Sequence, residues 1–236
     1  MGELTTEALR ARLKVCMFDQ YGTLVDMQNG LTEVVTPYLK AKGWNGRPEA
    51  FVTWWRRTHF ENSMIDALLQ GEHTPYREIG HRAVAYTLER AGIPHTMDEV
   101  RFLVAQIERL KPFSDVPAAL ARLNTRYKVA VLSNGDPDML EAAKPFHQIA
   151  LDAVISVAVA NSFKPHVVTY TKAAELLGVR MDEVLFVANH PFDCIGAKSA
   201  GMYAAYINRR MRPFGMTPHQ PDIVVPDMKS LAEKLV

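Results

Sequence analysis

The segment KVCMFDQYGTLVD, residues 14–26, places four apolar side chains in its first five positions and then stops at the carboxylate of Asp19. A short buried strand that ends in a turn accounts for both halves. Runs of the same kind recur as KVAVL (128–132), AVISVAV (153–159), VLFVA (184–188), YAAYI (203–207) and DIVV (222–225). Helical patterns separate most of them, at 116–126, 137–146, 167–177 and 192–200. Near-continuous apolar strands alternating with helices predict an α/β fold, a doubly wound parallel sheet with helices on both faces.

Residues 31–110 break that rhythm and read as consecutive helices at 31–41, 48–69, 77–90 and 97–110. Thr96 with Glu99 makes a capping box for the last, and Gly43, Gly71 and Gly92 fall near the expected helix ends. The spacing predicts a helical cap domain at 29–113 inserted into a core of 1–28 and 114–236, with hinges near 28–30 and 112–114.

Composition sets the class. The chain has 236 residues, 27 Lys+Arg against 26 Asp+Glu, and 48% hydrophobic residues, which suits a folded globular protein and excludes a disordered one. The formal net charge of +1, with no long run of one sign, offers no footprint for nucleic acid or a membrane surface. The polar opening, residues 1–12, does not read as a signal peptide. Two cysteines, Cys16 and Cys194, make no disulfide framework, so cytoplasmic location is expected. Cys16 is expected to be an inert core thiol and Cys194 a more accessible one. Trp54, Trp55 and Phe60 read as one packing face of a cap helix, with one or two lining a pocket. The eight histidines show no paired zinc-ligand spacing.

In an open parallel sheet, ligands bind at the carboxyl ends of the strands. Asp19 ends the first strand, Ser133-Asn134-Gly135 the second and Ala188-Asn189-His190 the fourth; Lys164-Pro165 lies beyond the third and Asp193 closely follows the fourth. Two carboxylates, a hydroxyl with an amide, and a lysine therefore converge on one edge.

FDQYGTLVD (18–26), LSNGD (132–136), FKPHVVTY (163–170) and FVANHPFDCIGAKSAG (186–201) resemble the four ordered motifs of the haloacid dehalogenase superfamily, and within it the 2-haloacid dehalogenases. The resemblance implies a Rossmann-like core with Asp19 as nucleophile, rather than a turn or capping Asp, and an aspartyl ester that water later hydrolyses. It implies that Thr23 holds the Asp19 carboxylate, unless Thr23 only fills the turn. Ser133, with the backbone N–H groups of Gln20 and Tyr21, would take the substrate carboxylate. Arg56, Asn134 and the ring edge of Phe192 would receive the halide; an exposed Arg56 paired to Glu61 or Glu49 is the plain alternative, and Arg57 is one residue away. Lys164 would neutralise Asp19 or steer the substrate, with Asp193 holding Lys164 unless it merely caps a helix. Tyr170 would bond a carboxylate or pack, and Asn189 supports the same loop.

Position 21 bears on the electrophile. Phosphatases of the superfamily usually carry a second Asp there as acid for the leaving alcohol and as help in binding Mg²⁺. A halide leaves without a proton and an alkoxide does not, so Tyr21 favours carbon–halogen cleavage without metal or other cofactor. A Mg-dependent phosphatase and a catalytically silent relative that binds a small carboxylate or a protein are the rival readings. Ala188 and His190 replace the Ser and Asn that the resemblance leads one to expect. His190 can act as a base for the hydrolytic water, supply an extra donor that would help fluoride leave, or stand by. A small haloacid is the expected partner, with a homodimer formed through the cap helices.

Overall fold

Every apolar run named above enters one sheet. The computed structural model describes residues 5–69, 72–147 and 149–236. The chain begins with α1 (Thr6–Arg12) and β1 (Val15–Phe18). Four helices follow: α2 (Met27–Ala41), α3 (Pro48–Leu68), α4 (Tyr76–Arg90) and α5 (Met97–Ala105), the last running on as a 3₁₀ turn at Gln106–Arg109. Then come α6 (Val116–Asn124), β2 (Lys128–Ser133), α7 (Pro137–His147), β3 (Ala153–Ser156) and α8 (Val167–Leu177). The chain closes with β4 (Val184–Ala188), α9 (Pro191–Ser199), β5 (Tyr203–Ile207), β6 (Ile223–Val225) and α10 (Met228–Leu235).

The six strands are parallel throughout, in the order β3-β2-β1-β4-β5-β6. The chain winds outward from β1 in both directions, so the crevice where connections diverge lies at the carboxyl ends of β1, β2 and β4. Side chains alternate across the sheet. Cys16, Phe18, Leu185 and Val187 pack with α6 and α10 in one apolar cluster. Val15, Met17, Val184 and Phe186 join a second cluster that continues through Tyr21, Val25 and Tyr76 into the helices after β1. Among the described residues no helix is long and apolar enough to cross a membrane.

The structure moves several expected boundaries. The third strand ends at Ser156 rather than at 159, because the Ser156 hydroxyl accepts the Ala158 N–H and starts a 3₁₀ turn, Val157–Ala160. The first expected hinge, 28–30, is helical: the Asp26 carboxylate caps the Asn29 N–H and starts α2 at Met27. The two crossings run side by side, with Asp26 N–H donating to Lys111 O and Phe113 N–H to Leu24 O. The Thr96–Glu99 capping box forms. Gly43 and Gly92 take the left-handed conformation after α2 and α4, with φ of 70° and 66°; Gly71 lies outside the described residues. Trp54 is exposed while Trp55 is fully buried, since one helical step turns a side chain by about 100°. Cys194 is also buried, on the inner side of α9 against Ala188 O and Ala205 O, rather than accessible.

Candidate active site

Asp19 is the first residue past β1, and its N–H donates to Val187 O of β4 at 3.0 Å, so the carboxylate projects from the seam between two central strands. Thr23 donates its hydroxyl to Asp19 Oδ2 at 2.7 Å and accepts the Asn189 N–H at 2.9 Å. That second bond occupies a lone pair of the hydroxyl and leaves its proton for Asp19. Asn189 also donates Nδ2 to Gly22 O at 3.0 Å, tying the loop after β4 to the loop after β1. Gly22 has φ +88°, and a Cβ there would stand 2.8 Å from His190 Cε1 and 3.2 Å from an Arg56 nitrogen. Only glycine satisfies both the conformation and the approach.

Lys164, 1% exposed, places Nζ at 2.8 Å from both Asp19 Oδ1 and Asp193 Oδ2. Tyr170 donates its hydroxyl to Asp193 Oδ1. Burial alone would keep Asp19 protonated; the Lys164 charge and the nearby imidazole outweigh it and hold the carboxyl well below the usual carboxylate range. Burial, opposed by Lys164 and reinforced by Asp19, pushes Asp193 up. Burial would strip Lys164 of its proton, but the two carboxylates more than restore it and raise its pKa. Burial and the charge of Asp193 push Tyr170 up, so the phenol stays a donor.

A cavity of about 290 Å³ opens above Asp19, lined on the sheet side by Tyr21, Asn134, Lys164, His190 and Phe192. Helices α2 and α3 close it with Met27, Gln28, Thr53, Arg56, Arg57 and Phe60. Asn134 accepts the Lys164 N–H on Oδ1 at 3.0 Å, which leaves its NH₂ group to face the cavity. Phe192 packs against Phe60 with ring centroids 4.0 Å apart. Arg56 donates to Gln28 Oε1 at 2.9 Å, and its buried Nε has no partner among the described residues. The Glu61 carboxylate goes to Arg57 instead, at 2.6 Å. His190 Nδ1 stands 3.5 Å from Asp19 Oδ2 and forms no hydrogen bond among the described residues.

Two expected residues lie outside the lining of this cavity. The Gln20 side chain borders a small separate cavity with Leu24, Val131 and His147, which leaves the expected role to its backbone N–H. Ser133 is fully buried beneath the cavity and accepts the Gly135 N–H on Oγ at 3.2 Å. Among the described residues the backbone N–H groups of Gln20 and Tyr21 have no acceptor, as an anion-binding turn requires.

Sequence reasoning missed Tyr76 and Arg210, both of which line the cavity. Tyr76 stacks on Tyr21 with centroids 5.8 Å apart and planes 6° apart. Its position is set by Asp136, whose carboxylate accepts the N–H groups of Tyr76 and Arg77 at 2.8 and 2.9 Å. That carboxylate caps α4 from the far side of the cavity, and the Asp in SNGD was the available signal. No sequence signal pointed to Arg210, which arrives from the loop after β5.

Oxygen ligands for a cation are scarce here. Asp19 and Asp193 face each other, but the Lys164 ammonium already fills the space between them. Among the described residues no cluster of three or more His, Cys, Asp or Glu is placed to hold a metal.

A family model described as haloacid dehalogenase-like hydrolase matches residues 13–201. An (S)-2-haloacid dehalogenase of Xanthobacter autotrophicus is 37% identical over 199 residues, covering 84% of this chain and 76% of that protein. Haloacetate dehalogenase H-2 of Moraxella sp. (strain B) is 28% identical over 225 residues, covering 93% and 96% of the two chains. Among solved structures, the L-2-haloacid dehalogenase from Xanthobacter autotrophicus with chloropropionic acid covalently bound superposes with a TM-score of 0.81 at 32% identity, covering 94% of this chain and 97% of that one.

Proposed function

Since the chain belongs to the haloacid dehalogenase-like hydrolases, we propose that it hydrolyses the carbon–halogen bond of short 2-haloalkanoic acids to give 2-hydroxy acids. The observation that carries this reading is an ionised, immobilised Asp19 facing a cavity that is also lined by the donor groups of Arg56, from α3, and Asn134, from the sheet edge.

The substrate carboxylate docks on the free N–H groups of Gln20 and Tyr21, above Ser133. That orients the halogen-bearing carbon toward Asp19, whose carboxylate attacks in line and inverts the carbon. The carbon–halogen bond breaks, and the halide departs toward Arg56, the Asn134 NH₂ and the edge of Phe192. These groups carry only positive potential toward the leaving atom, so their stabilisation grows as negative charge develops. Water then attacks the ester carbonyl of Asp19. His190 is the base we assign to that water, since its Nδ1 lies 3.5 Å from Asp19 and is engaged by no other group. Lys164 and Thr23 hold the tetrahedral oxyanion, and as it collapses His190 returns the proton to the departing alkoxide, which leaves as the 2-hydroxy acid. Tyr21 replaces the acid that a phosphate ester needs, and no proton donor is required for a halide.

We also propose that residues 29–113 act as a cap over the core of 1–28 and 114–236. A homodimer through the cap is supported by Ile65, Leu68 and Leu69, exposed at the end of α3. Cytoplasmic location is supported by two buried free cysteines.

The test is halide release from chloroacetate, fluoroacetate and both 2-chloropropionate enantiomers, with and without chelator, beside a generic phosphate monoester. Chelator-resistant halide release is expected. Phosphate release that requires Mg²⁺ and survives Arg56→Ala, with no halide released, would overturn the reading.

A further inference from the structure

The reaction cavity holds more positive charge than its chemistry uses. Lys164 is neutralised by Asp19 and Asp193, at 2.8 Å each, and Arg57 by Glu61 at 2.6 Å. Arg56 and Arg210 line the same cavity, and among the described residues no carboxylate lies within 4.0 Å of either guanidinium. Burial, and then the charge of Arg210, bring Arg56 down to about 10 against the opposing pull of Asp26 and Asp19, neither of which pairs with Arg56 or Arg210. In the proposed reaction the substrate carboxylate has the N–H groups of Gln20 and Tyr21, and the halide has Arg56. Arg210 is left without a counterpart.

Volume permits a longer substrate. At no more than a water's share of liquid, about 30 Å³ per non-hydrogen atom, 2-chloropropionate fills at most roughly 180 Å³ of the cavity's 290 Å³. With a CH₂-carboxylate in place of the methyl the same ceiling is roughly 270 Å³, which still fits. The side of the cavity toward Arg210 is polar rather than suited to an alkyl tail: Gln28, Thr53, Arg56 and Arg210 also border an adjoining cavity of about 410 Å³, where Arg209 and Arg212 outnumber the single carboxylate, Asp26.

We infer that Arg210 is the seat of a second carboxylate, and that the substrates this enzyme handles best are 2-halodicarboxylic acids, hydrolysed to 2-hydroxydicarboxylic acids. The inference deepens the dehalogenase reading and rests on it. Arg210 acts as a specificity-determining residue: it binds the far end of the substrate while Asp19 works at the near end. Remote binding of this kind is spent on positioning the reacting carbon. Arg210 is exposed and has no hydrogen bond or ion pair among the described residues, so replacing it strips no buried partner.

The experiment compares kcat/KM for 2-chlorosuccinate and 2-chlorobutyrate, equal in carbon number, in the wild type and in Arg210→Gln. The wild type is expected to favour the dicarboxylate by at least about tenfold, the worth of one charge-assisted hydrogen bond, and the variant to lose that preference, chiefly through KM. A wild type that prefers the monocarboxylate overturns the inference. So does a variant that loses both substrates in equal proportion, as it would if Arg210 served the departing halide. Turnover of 2-chlorobutyrate with none of 2-chlorosuccinate overturns this inference alone, whereas inertness toward both overturns the dehalogenase reading and the inference with it.

Discussion

The floor and the roof of the cavity are built on opposite terms. On the floor, Asp19, Thr23, Lys164, Asp193 and Tyr170 form an unbroken chain of hydrogen bonds, nearly all of it shut off from solvent. On the roof, α3 leaves the Nε–H donor of Arg56 buried and without a partner among the described residues. A saturated network fixes one geometry, and an unsaturated one stores donors for something that is not protein. The floor holds the nucleophile ready, and the roof waits for an anion. Substitutions on the two sides should therefore fail in different ways.

Breaking the floor at its reacting atom has the largest expected effect. Asp19→Asn removes the nucleophile and should lower halide release by at least about 10⁴-fold, measured as kcat with 2-chloropropionate. The second floor prediction concerns folding. Lys164→Met leaves Asp19 and Asp193 facing each other in a dry site without a counterion. Urea unfolding near neutral pH should show a loss of about 3–5 kcal/mol, and a variant as stable as the wild type would mean that the floor is not the rigid element described here.

Arg56, on the roof, should respond in rate and hardly in stability. Arg56→Gln removes a donor that acts only as the halide forms, so kcat should fall about 10²- to 10³-fold. Its unfolding midpoint should stay close to wild type, because Arg56 makes a single hydrogen bond, to Gln28. The smallest effect comes from His59, buried in α3 with Nε2 at 3.0 Å from Tyr76 O. Burial, only partly offset by that hydrogen bond, lowers its pKa from 6.5 to about 4. The unfolded chain then binds a proton that the folded one refuses, so stability is complete above the ordinary histidine value and falls as pH drops toward 4. Between pH 7 and 5 the wild type should lose about 2 kcal/mol more than His59→Gln. Equal losses would show that His59 is not held neutral.

The floor was legible in the sequence and the roof much less so. Asp19, Lys164, Asn189 and Asp193 follow from strand ends and the rule for parallel sheets, because backbone topology alone brings those positions together. The apolar runs name each strand, and the third differs most in length, where a serine hydroxyl outcompetes the ladder. What escaped depends on packing between distant segments. Tyr76 is placed by Asp136, sixty positions away in sequence, and Arg210 by the path of a loop that has no periodic pattern. Neighbours in sequence also mislead when a helix turns them apart. Trp54 and Trp55 are adjacent in sequence but face solvent and core respectively, and Cys194, beside the site residue Asp193, lies on the inner side of α9.

The direct test of an Asp19 ester is a single turnover with enzyme in excess of 2-chloropropionate in heavy-oxygen water, followed by mass spectrometry of the peptide that contains Asp19. Water attacks the carbonyl of the ester, so the heavy atom should appear in the Asp19 carboxylate while the first lactate released carries ordinary oxygen. Heavy oxygen in the lactate, with Asp19 unlabelled, would mean that water displaces the halide directly and that Asp19 is not the nucleophile.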